Sequence, residues 1–339
     1  MSGRDHPSAD KMQAMDTLRI GCLGAAKIAP AALIRPARKV AGVEVRAVAA
    51  RDRNRAQAFA TKHHVPVVHG SYDQLLADPD VDAVYNPLPN GLHGEWTTRA
   101  LDAGKHVLCE KPFTANAAEA ETVAAAADAS GLVVMEAFHW RYHPLARRMV
   151  EIIASGELGT LRRVEAAMCF PLIFRNDIRW QLSLAGGALM DAGCYAVHMV
   201  RTMAAGEPAV SRATARLRSP GVDRRMEADL EFPDGVSGRV TASMWSSTLL
   251  KISAVAEGDR ATMRVFNPTA PHMFHRLTVG DRHEKIRGGV TYDYQLEAFA
   301  AAVRTGAPTL TPPSDSVGNM RVIDDIYRAA GLQPRQPSA

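Results

Sequence analysis

The feature that most constrains this chain is a run of short apolar strands alternating with helical stretches, from Leu18 to about Ala137. "LRIGCLG", "VEVRAVAA", "PVVHG", "VDAVYNPLP", "KHVLCEKP" and "LVVMEAF" read as six strands. Between them lie "RNRAQAFATKH", "SYDQLLADP", "GEWTTRALDAG" and "NAAEAETVAAAADASG", which read as helices, with Ser71 as an N-cap and Gly104 as a stop. Strands that alternate with helices join by right-handed crossovers into a parallel, doubly wound sheet. All strand ends on the carboxyl side of such a sheet point into one crevice.

After His139 the rhythm changes. "HPLARRMVEIIASGELG" and "GGALMDAGCYAVHMVRTMA" read as helices around an irregular segment, "FPLIFRNDIRWQLSLA". From Ala209 to Val279 come "VSRATARLR", "MEADLEF", "SGRVTASMW", "LLKISAVAE", "ATMRVFN" and "HRLTVG", with no helix between them. Consecutive strands pair mostly antiparallel, so this half reads as an α+β domain on an open sheet. "YDYQLEAFAAAVRTG" and "SDSVGNMRVIDDIYRAAG" close the chain as helices. A length of 339 residues accommodates two such domains.

Several function classes are disfavoured. The formal charge is +4, from 40 basic against 36 acidic side chains, with no basic block interleaved with aromatics, which argues against nucleic acid. No apolar run reaches the roughly 18 residues of a membrane helix. The start, "MSGRDHPSADKMQAMDT", lacks the apolar region of a secretory signal and reads as a disordered leader over 1–16, with Met15 as an alternative start. Cys22, Cys109, Cys169 and Cys194 are scattered, as free thiols of a reducing compartment are. The expected location is the cytoplasm.

"GCLGAAKIA" follows the first strand and opens a helix. Gly21, Gly24, Ala25, Ala26, Lys27 and Ile28 form a glycine turn in which Ala26 stands at the usual third glycine. Backbone must approach a pyrophosphate there, and a helix N-terminus offers unpaired N–H groups. The tip of the second strand carries Arg51, Asp52 and Arg55. The arginines could embrace a 2′-phosphate or stack on adenine, which favours NADP(H) and leaves NAD(H) open. The alternative is that Asp52 caps the next helix and both arginines are solvated.

With "GxxGAAxIA", "AVAARD", "NPLPNGLHGEW", "AGKHVLCEKPF", "MEAFHWRYHP" and "GGALMDAGCYAVH" in that order, the chain resembles the Gfo/Idh/MocA oxidoreductase family over residues 18 to 330. Within it the likeness is to the dimeric dihydrodiol dehydrogenase and NADP-dependent xylose dehydrogenase branch. The resemblance implies a Rossmann domain, here 17–139, and a substrate-binding and oligomerisation domain, here 140–335. It implies hydride transfer at a hydroxyl-bearing carbon of a sugar, cyclic polyol or diol, and a homodimer or homotetramer through the open sheet. It further implies that Pro87, Leu88, Asn90 and His93 line the nicotinamide side, that Lys111 is the catalytic lysine and that Glu110 lies near the nicotinamide. Asn90 is equally placed to cap the next helix.

Oxidising an alcohol needs a group to take the hydroxyl proton and a donor to stabilise the developing alkoxide. Lys111 leaves the fifth strand, and Pro112 biases it to an extended shape, with a cis bond open to it. An acid–base pair at a strand end is by itself more often a solvated turn; the motif context favours catalysis. Asp191, Tyr195 and His198 are spaced i, i+4 and i+7, one face of a helix. Tyr195 is the expected proton acceptor or donor, its pKa lowered by the Lys111 ammonium. Asp191 would bind a substrate hydroxyl or orient the pair, and His198 is read as structural. His139 and His143 stand i, i+4 but lack a third ligand, so no metal is expected. Arg141 is assigned to the cofactor, and Tyr142, His143, Trp180 and Tyr292 to the substrate, with Arg179 beside Trp180 on the pocket wall. A tightly held, recycled nicotinamide (aldose–aldose oxidoreduction or redox-assisted glycoside cleavage) is the second reading. A non-catalytic dinucleotide sensor is the third.

Overall fold

A computed structural model describes residues 17–338, so the leader expected over 1–16 lies outside the described residues. The first sheet comprises β1 (Leu18–Leu23), β2 (Val43–Ala49), β3 (Val67–His69), β4 (Ala83–Asn86), β5 (His106–Cys109) and β6 (Val134–Glu136). Their order is β3-β2-β1-β4-β5-β6 and every pair is parallel. These are the strands expected from the alternation. Strand order reverses between β1 and β4, which opens the crevice there. The connecting helices are α1 (Arg35–Ala37), α2 (Arg53–His63), α3 (Tyr72–Leu76), α4 (His93–Asp102) and α5 (Ala117–Ser130). With both faces of the sheet covered, β4 is buried at every residue.

Local chemistry sets the element ends. The Ser71 hydroxyl accepts from the Gln74 N–H at 3.1 Å and starts α3. The helix expected directly after the glycine turn opens instead as a π-turn over Pro30–Ile34, with the Arg35 N–H bonded to the Pro30 carbonyl. Pro36 has no N–H to continue an ordinary helical ladder at this point.

The second half begins with α6 (Pro144–Ala154) and β7 (Leu161–Cys169), then a π-turn, Leu189–Gly193, that runs into α7 (Cys194–Ala204). There follow β8 (Ala209–Ser219), β9 (Val222–Glu231), β10 (Ser237–Ser243), β11 (Lys251–Gly258), β12 (Thr262–Phe266), β13 (Arg276–Val279) and β14 (Arg282–Glu284). The sheet runs β14-β13-β12-β11-β7-β10-β9-β8, parallel only between β7 and β10. β7 and β14 were not among the expected strands. In β7, Arg163 and Glu165 alternate with buried Val164 and Ala166, so a strand central to the sheet carries charge on its open face.

Two helices close the chain, α8 (Thr291–Thr305) and α9 (Pro313–Ala329). Although α8 lies within the 140–335 stretch, its Leu296, Phe299 and Ala300 pack with Ile20, Tyr85 and Leu108 of the first sheet. A second apolar cluster runs unbroken from Val107 and Val123 through Phe138 to Met226 and Val240, so the two sheets share a core.

The chain end ties the halves together. Arg335, buried beside Asp223, donates to the Asp223 carboxylate at 2.7 Å and to the Gly186 carbonyl at 2.8 Å. Its guanidinium lies 4.1 Å from the centre of the Tyr327 ring. Asn116 donates to the Arg335 carbonyl at 2.8 Å, and the Ser338 N–H donates to Gly91 at 2.7 Å. Removing one partner of a buried ion pair strands the other charge. Arg335→Ala is therefore expected to lower stability by about 3–5 kcal/mol. Arg321→Ala, at the exposed pair with Glu121, should cost less than about 1 kcal/mol. Urea unfolding of both variants checks the contrast.

Candidate active site

Gly24 turns the chain out of β1 at φ +101°, a conformation that glycine adopts freely. The N–H groups of Ala25, Ala26, Lys27 and Ile28 have no hydrogen-bond partner among the described residues. Four unpaired amides at the mouth of a strand–helix turn fit a pyrophosphate. Gly21 lies within β1, where an added Cβ would sit 2.6 Å from Leu75 Cδ2, so the strand packs on α3 more closely there than a side chain would allow.

At the tip of β2 the Asp52 carboxylate accepts from the Asn54 and Arg55 amides at 2.8 and 3.3 Å, capping α2. Oδ1 takes both bonds, so Asp52 caps the helix as the alternative sequence reading had it. Arg51 and Arg55 stay exposed beside Tyr72, whose phenol is pushed up by burial against the pull of both guanidinia. Tyr72 was not foreseen; it lies behind Gly24 because Ser71 starts α3 at the crevice edge.

Lys111 stands at the exit of β5, where the Lys111–Pro112 peptide is cis. Its ammonium donates to the Asp191 carbonyl at 3.1 Å and to the Asp191 carboxylate at 3.4 Å, across the domain junction. Burial works against that charge, but Asp191, Cys194 and Glu110 outweigh it and raise the lysine pKa. The other Asp191 oxygen meets Arg179 at 3.5 Å, and Arg179 pairs with both oxygens of Asp177 at 2.9 and 3.1 Å. Glu110 is buried, accepting from the Tyr85 hydroxyl at 2.7 Å and the Lys111 amide at 3.3 Å. Burial raises its pKa and Lys111 opposes the rise.

Tyr195 lies beside this pair, with the Lys111 ammonium 5.1 Å from its ring centre. The sequence expectation for its acidity is overturned. Burial pushes the phenol well above its usual 10, with Tyr292 and Glu110 adding to the rise, and Lys111 does not reverse it. The ammonium lies over the ring, while the hydroxyl points to His139 Nε2 at 3.1 Å. His139 Nδ1 meets Thr291 Oγ1 at 2.8 Å, and the Tyr292 ring lies tilted against the imidazole with centres 4.1 Å apart. The structure thus gathers Lys111, Asp191, Tyr195, Tyr292 and Glu110 as expected. It adds Tyr85, His139 and Thr291, for which only the His139–His143 spacing had offered any signal.

The π-turn separates Asp191 from the regular helix that carries Tyr195 and His198. His198 is enclosed, accepting from Trp140 Nε1 at 3.2 Å and facing Asp315 at 3.1 Å, a scaffold role. Other candidates sit elsewhere than expected. The Tyr142 hydroxyl is bonded to Thr311 at 2.8 Å in the junction core. His143 caps α6 by accepting from the Leu145 amide at 3.0 Å. Arg141 lines a separate groove of about 680 Å³ with Arg147, Tyr294 and Glu297. Trp180 packs with Leu172, Val222 and Met244. Leu88 is buried, and Asn90 donates to the Ala185 carbonyl at 3.2 Å instead of capping a helix. His93 is buried too, its ring nitrogens 2.7 Å from the carbonyls of Leu88 and Pro112, and as a neutral ring it donates to one of the two. None of these side chains is hydrogen-bonded to the Lys111 ammonium or the Tyr195 hydroxyl. Among the described residues no group of three or more His, Cys, Asp or Glu side chains is placed to hold a metal, and no helix is long and apolar enough to cross a membrane.

Comparison with known proteins matches residues 18–138 to the oxidoreductase family with an NAD-binding Rossmann fold. Residues 146–264 match the GFO/IDH/MocA C-terminal domain. The chain is 40% identical over 318 residues to D-xylose 1-dehydrogenase (NADP(+)) 2 of Haloferax volcanii, covering 92% of this chain and 97% of that one. It is 36% identical over 227 residues to trans-1,2-dihydrobenzene-1,2-diol dehydrogenase of Bos taurus, covering 66% of this chain and 67% of the relative. Among solved structures, a 3-ketoreductase from Actinomadura kijaniata in complex with NADP and TDP-benzene superposes with a TM-score of 0.85 at 30% identity. That match covers 92% of this chain and 98% of the other.

Burial depresses three histidines: His93 to about 4, His139 to about 3 and His143 to about 4. An unfolded chain takes up protons on these rings below about pH 6.5, whereas the fold does not until pH falls to those values. The part of stability held by these rings is therefore full above about pH 6.5 and declines as pH falls, by about 1.4 kcal/mol per pH unit for each ring, while Glu136 and Asp324, raised by burial to about 8 and about 6, act in the opposite sense. His143→Asn, which keeps a capping side chain, should flatten the decline by one proton between pH 7.5 and 5. An unchanged slope in urea unfolding would contradict this account.

Proposed function

The chain belongs to the Gfo/Idh/MocA oxidoreductase family and is an NAD(P)-dependent oxidoreductase; on that footing we propose that it moves hydride between NADP(H) and a hydroxyl- or carbonyl-bearing carbon of a sugar, cyclic polyol or diol. The observation that carries this reading is the Lys111 ammonium, held at the exit of β5 between Asp191 and the face of Tyr195. The nicotinamide, when bound, supplies or accepts the hydride. The chain's own residues manage the oxygen. Lys111 donates to it and stabilises charge as the C–O bond changes order. Tyr195 gives a proton to that oxygen in reduction and receives one in oxidation. Because burial favours the phenol, Tyr195 starts the reduction protonated and is left as a phenolate once its proton has reached the substrate oxygen; oxidation is the same step in reverse, from the phenolate. Asp191, shared by Lys111 and Arg179, accepts from a neighbouring substrate hydroxyl.

Arg51 and Arg55 are proposed to hold the 2′-phosphate of NADP(H). Support comes from the exposure of both guanidinia at the tip of β2, where Asp52 spends one carboxylate oxygen, Oδ1, on capping α2. The name of the Haloferax volcanii relative and the NADP of the Actinomadura kijaniata complex agree with this choice. The reading also includes a homodimer or homotetramer through the open face of the second sheet. That face carries a lattice of interleaved charges, with Arg225 and Arg239 on Glu227 at 2.7 and 2.8 Å.

Steady-state kinetics on a panel of aldoses, inositols and diols tests the assignment. Lys111→Ala and Tyr195→Phe should each lower kcat/KM on the best substrate by about 100-fold or more. Full activity in both variants would overturn the proposed chemistry. Arg51→Ala with Arg55→Ala should weaken NADP(H) binding about tenfold or more and leave NAD(H) nearly unaffected. Equal losses for both cofactors would remove the arginines from the 2′-phosphate.

A further inference from the structure

We infer that His139 is a positioning residue for Tyr195, setting whether the phenol presents its proton or its lone pair to the crevice. The inference rests on the role of Tyr195 proposed above.

Among the described residues, the Tyr195 hydroxyl has one hydrogen-bond partner, His139 Nε2 at 3.1 Å. The opposite nitrogen of that ring meets the hydroxyl of Thr291, the first residue of α8, at 2.8 Å. Tyr292 covers one side of the imidazole, with ring centres 4.1 Å apart and planes at 36°. Tyr195 stands nearly edge-on at 5.8 Å. His139 is 6% exposed and Thr291 fully buried, so the ring cannot turn without breaking both of its hydrogen bonds.

The charged and titratable groups that face this ring are Lys111 from the exit of β5, His272 from the loop between β12 and β13, Tyr195 of α7 and Tyr292 of α8. No carboxylate bonds either nitrogen. Burial, then Lys111 and His272, push the imidazole down to about 3. It is neutral near pH 7 and carries one ring proton.

A neutral imidazole in this setting has two fully bonded arrangements. With the proton on Nδ1, the ring donates to Thr291 and Nε2 accepts the phenolic proton. Tyr195 then turns a lone pair to the crevice, where it accepts a hydrogen bond from an alcohol hydroxyl without taking its proton. With the proton on Nε2, the ring donates to the Tyr195 oxygen and Thr291 donates to Nδ1. The phenolic proton then points into the crevice, ready for a carbonyl oxygen. The Thr291 hydroxyl serves in both, and neither arrangement creates a charge. Thr291 is buried and no further partner extends the chain among the described residues, so the ring orients Tyr195 without conducting protons from solvent.

The test is a double-mutant cycle of His139 with Tyr195, together with His139→Gln, Thr291→Val, the pH profile of kcat and NADPH binding followed by fluorescence. His139→Phe should lower kcat about tenfold, the value of one hydrogen bond, and shift its pH profile. KM, NADPH binding and the unfolding midpoint should stay near those of the parent. His139→Gln, which can still donate and accept, should recover most of the loss. Thr291→Val removes only the partner of Nδ1 and should lower kcat in the same direction. In a Tyr195→Phe background neither change should have a further effect. Equal losses in both backgrounds, or no recovery with glutamine, would make His139 merely structural and overturn the inference. A fully active Tyr195→Phe enzyme would overturn the role of Tyr195 itself. An impaired Tyr195→Phe beside a fully active His139→Phe would overturn only the inference about His139.

Discussion

The ammonium of Lys111 and the carboxylate of Asp191, 80 residues apart in the chain, meet across the domain junction, and the site exists only while they do. Both side chains are largely enclosed, at 14% and 12% exposure, so neither charge is left to bulk water. A buried charge without its partner is costly, which makes the relative placement of the two domains a requirement and not a preference. Asp191 is also shared with Arg179, so one carboxylate holds two cations at the crevice mouth.

That pair is kept in register by contacts made to its neighbours in the chain. His93 holds the Pro112 carbonyl next to Lys111 at 2.7 Å. The Asp191 amide is bonded to the Gly187 carbonyl at 3.0 Å, and Arg335 holds the neighbouring Gly186. Gly187 has φ +136°, and a Cβ there would fall 2.2 Å from the Asp223 carboxylate, so only glycine lets the chain pass this close to the buried ion pair. The last residues of the chain thereby support a turn near its middle.

Beside the charged groups stands a set of neutral ones. Burial raises the phenols of Tyr85, Tyr195 and Tyr292 and lowers His139, so each stays in its uncharged form near pH 7. Neutral groups that both donate and accept suit a substrate made of hydroxyls and a carbonyl, since none of them brings a counter-ion that must be displaced. This arrangement also corrects the idea that the lysine makes a phenolate of Tyr195. A cation over the ring face, 5.1 Å from its centre, does not offset the loss of water around the hydroxyl.

Much of this was legible before any coordinates. The six-strand alternation, the Ser71 cap, the place of Lys111 at a strand exit and the convergence of Asp191 and Tyr195 on it all follow from local pattern and motif order. Local pattern was a poor guide wherever a side chain's partner lies far along the chain. Tyr142 and His143 read as pocket residues from their place at the domain junction, yet Thr311 and the Leu145 amide hold them. β7 was missed because the charges of its open face hide its period. Periodicity and short motifs therefore determined the fold class and which strand ends carry the chemistry, since both depend on residues a few positions apart. Only the tertiary structure decided the protonation of Tyr195, the partnership of His139 with Thr291 and the anchoring by Arg335. Those depend on burial and on distances between elements, which local pattern does not record.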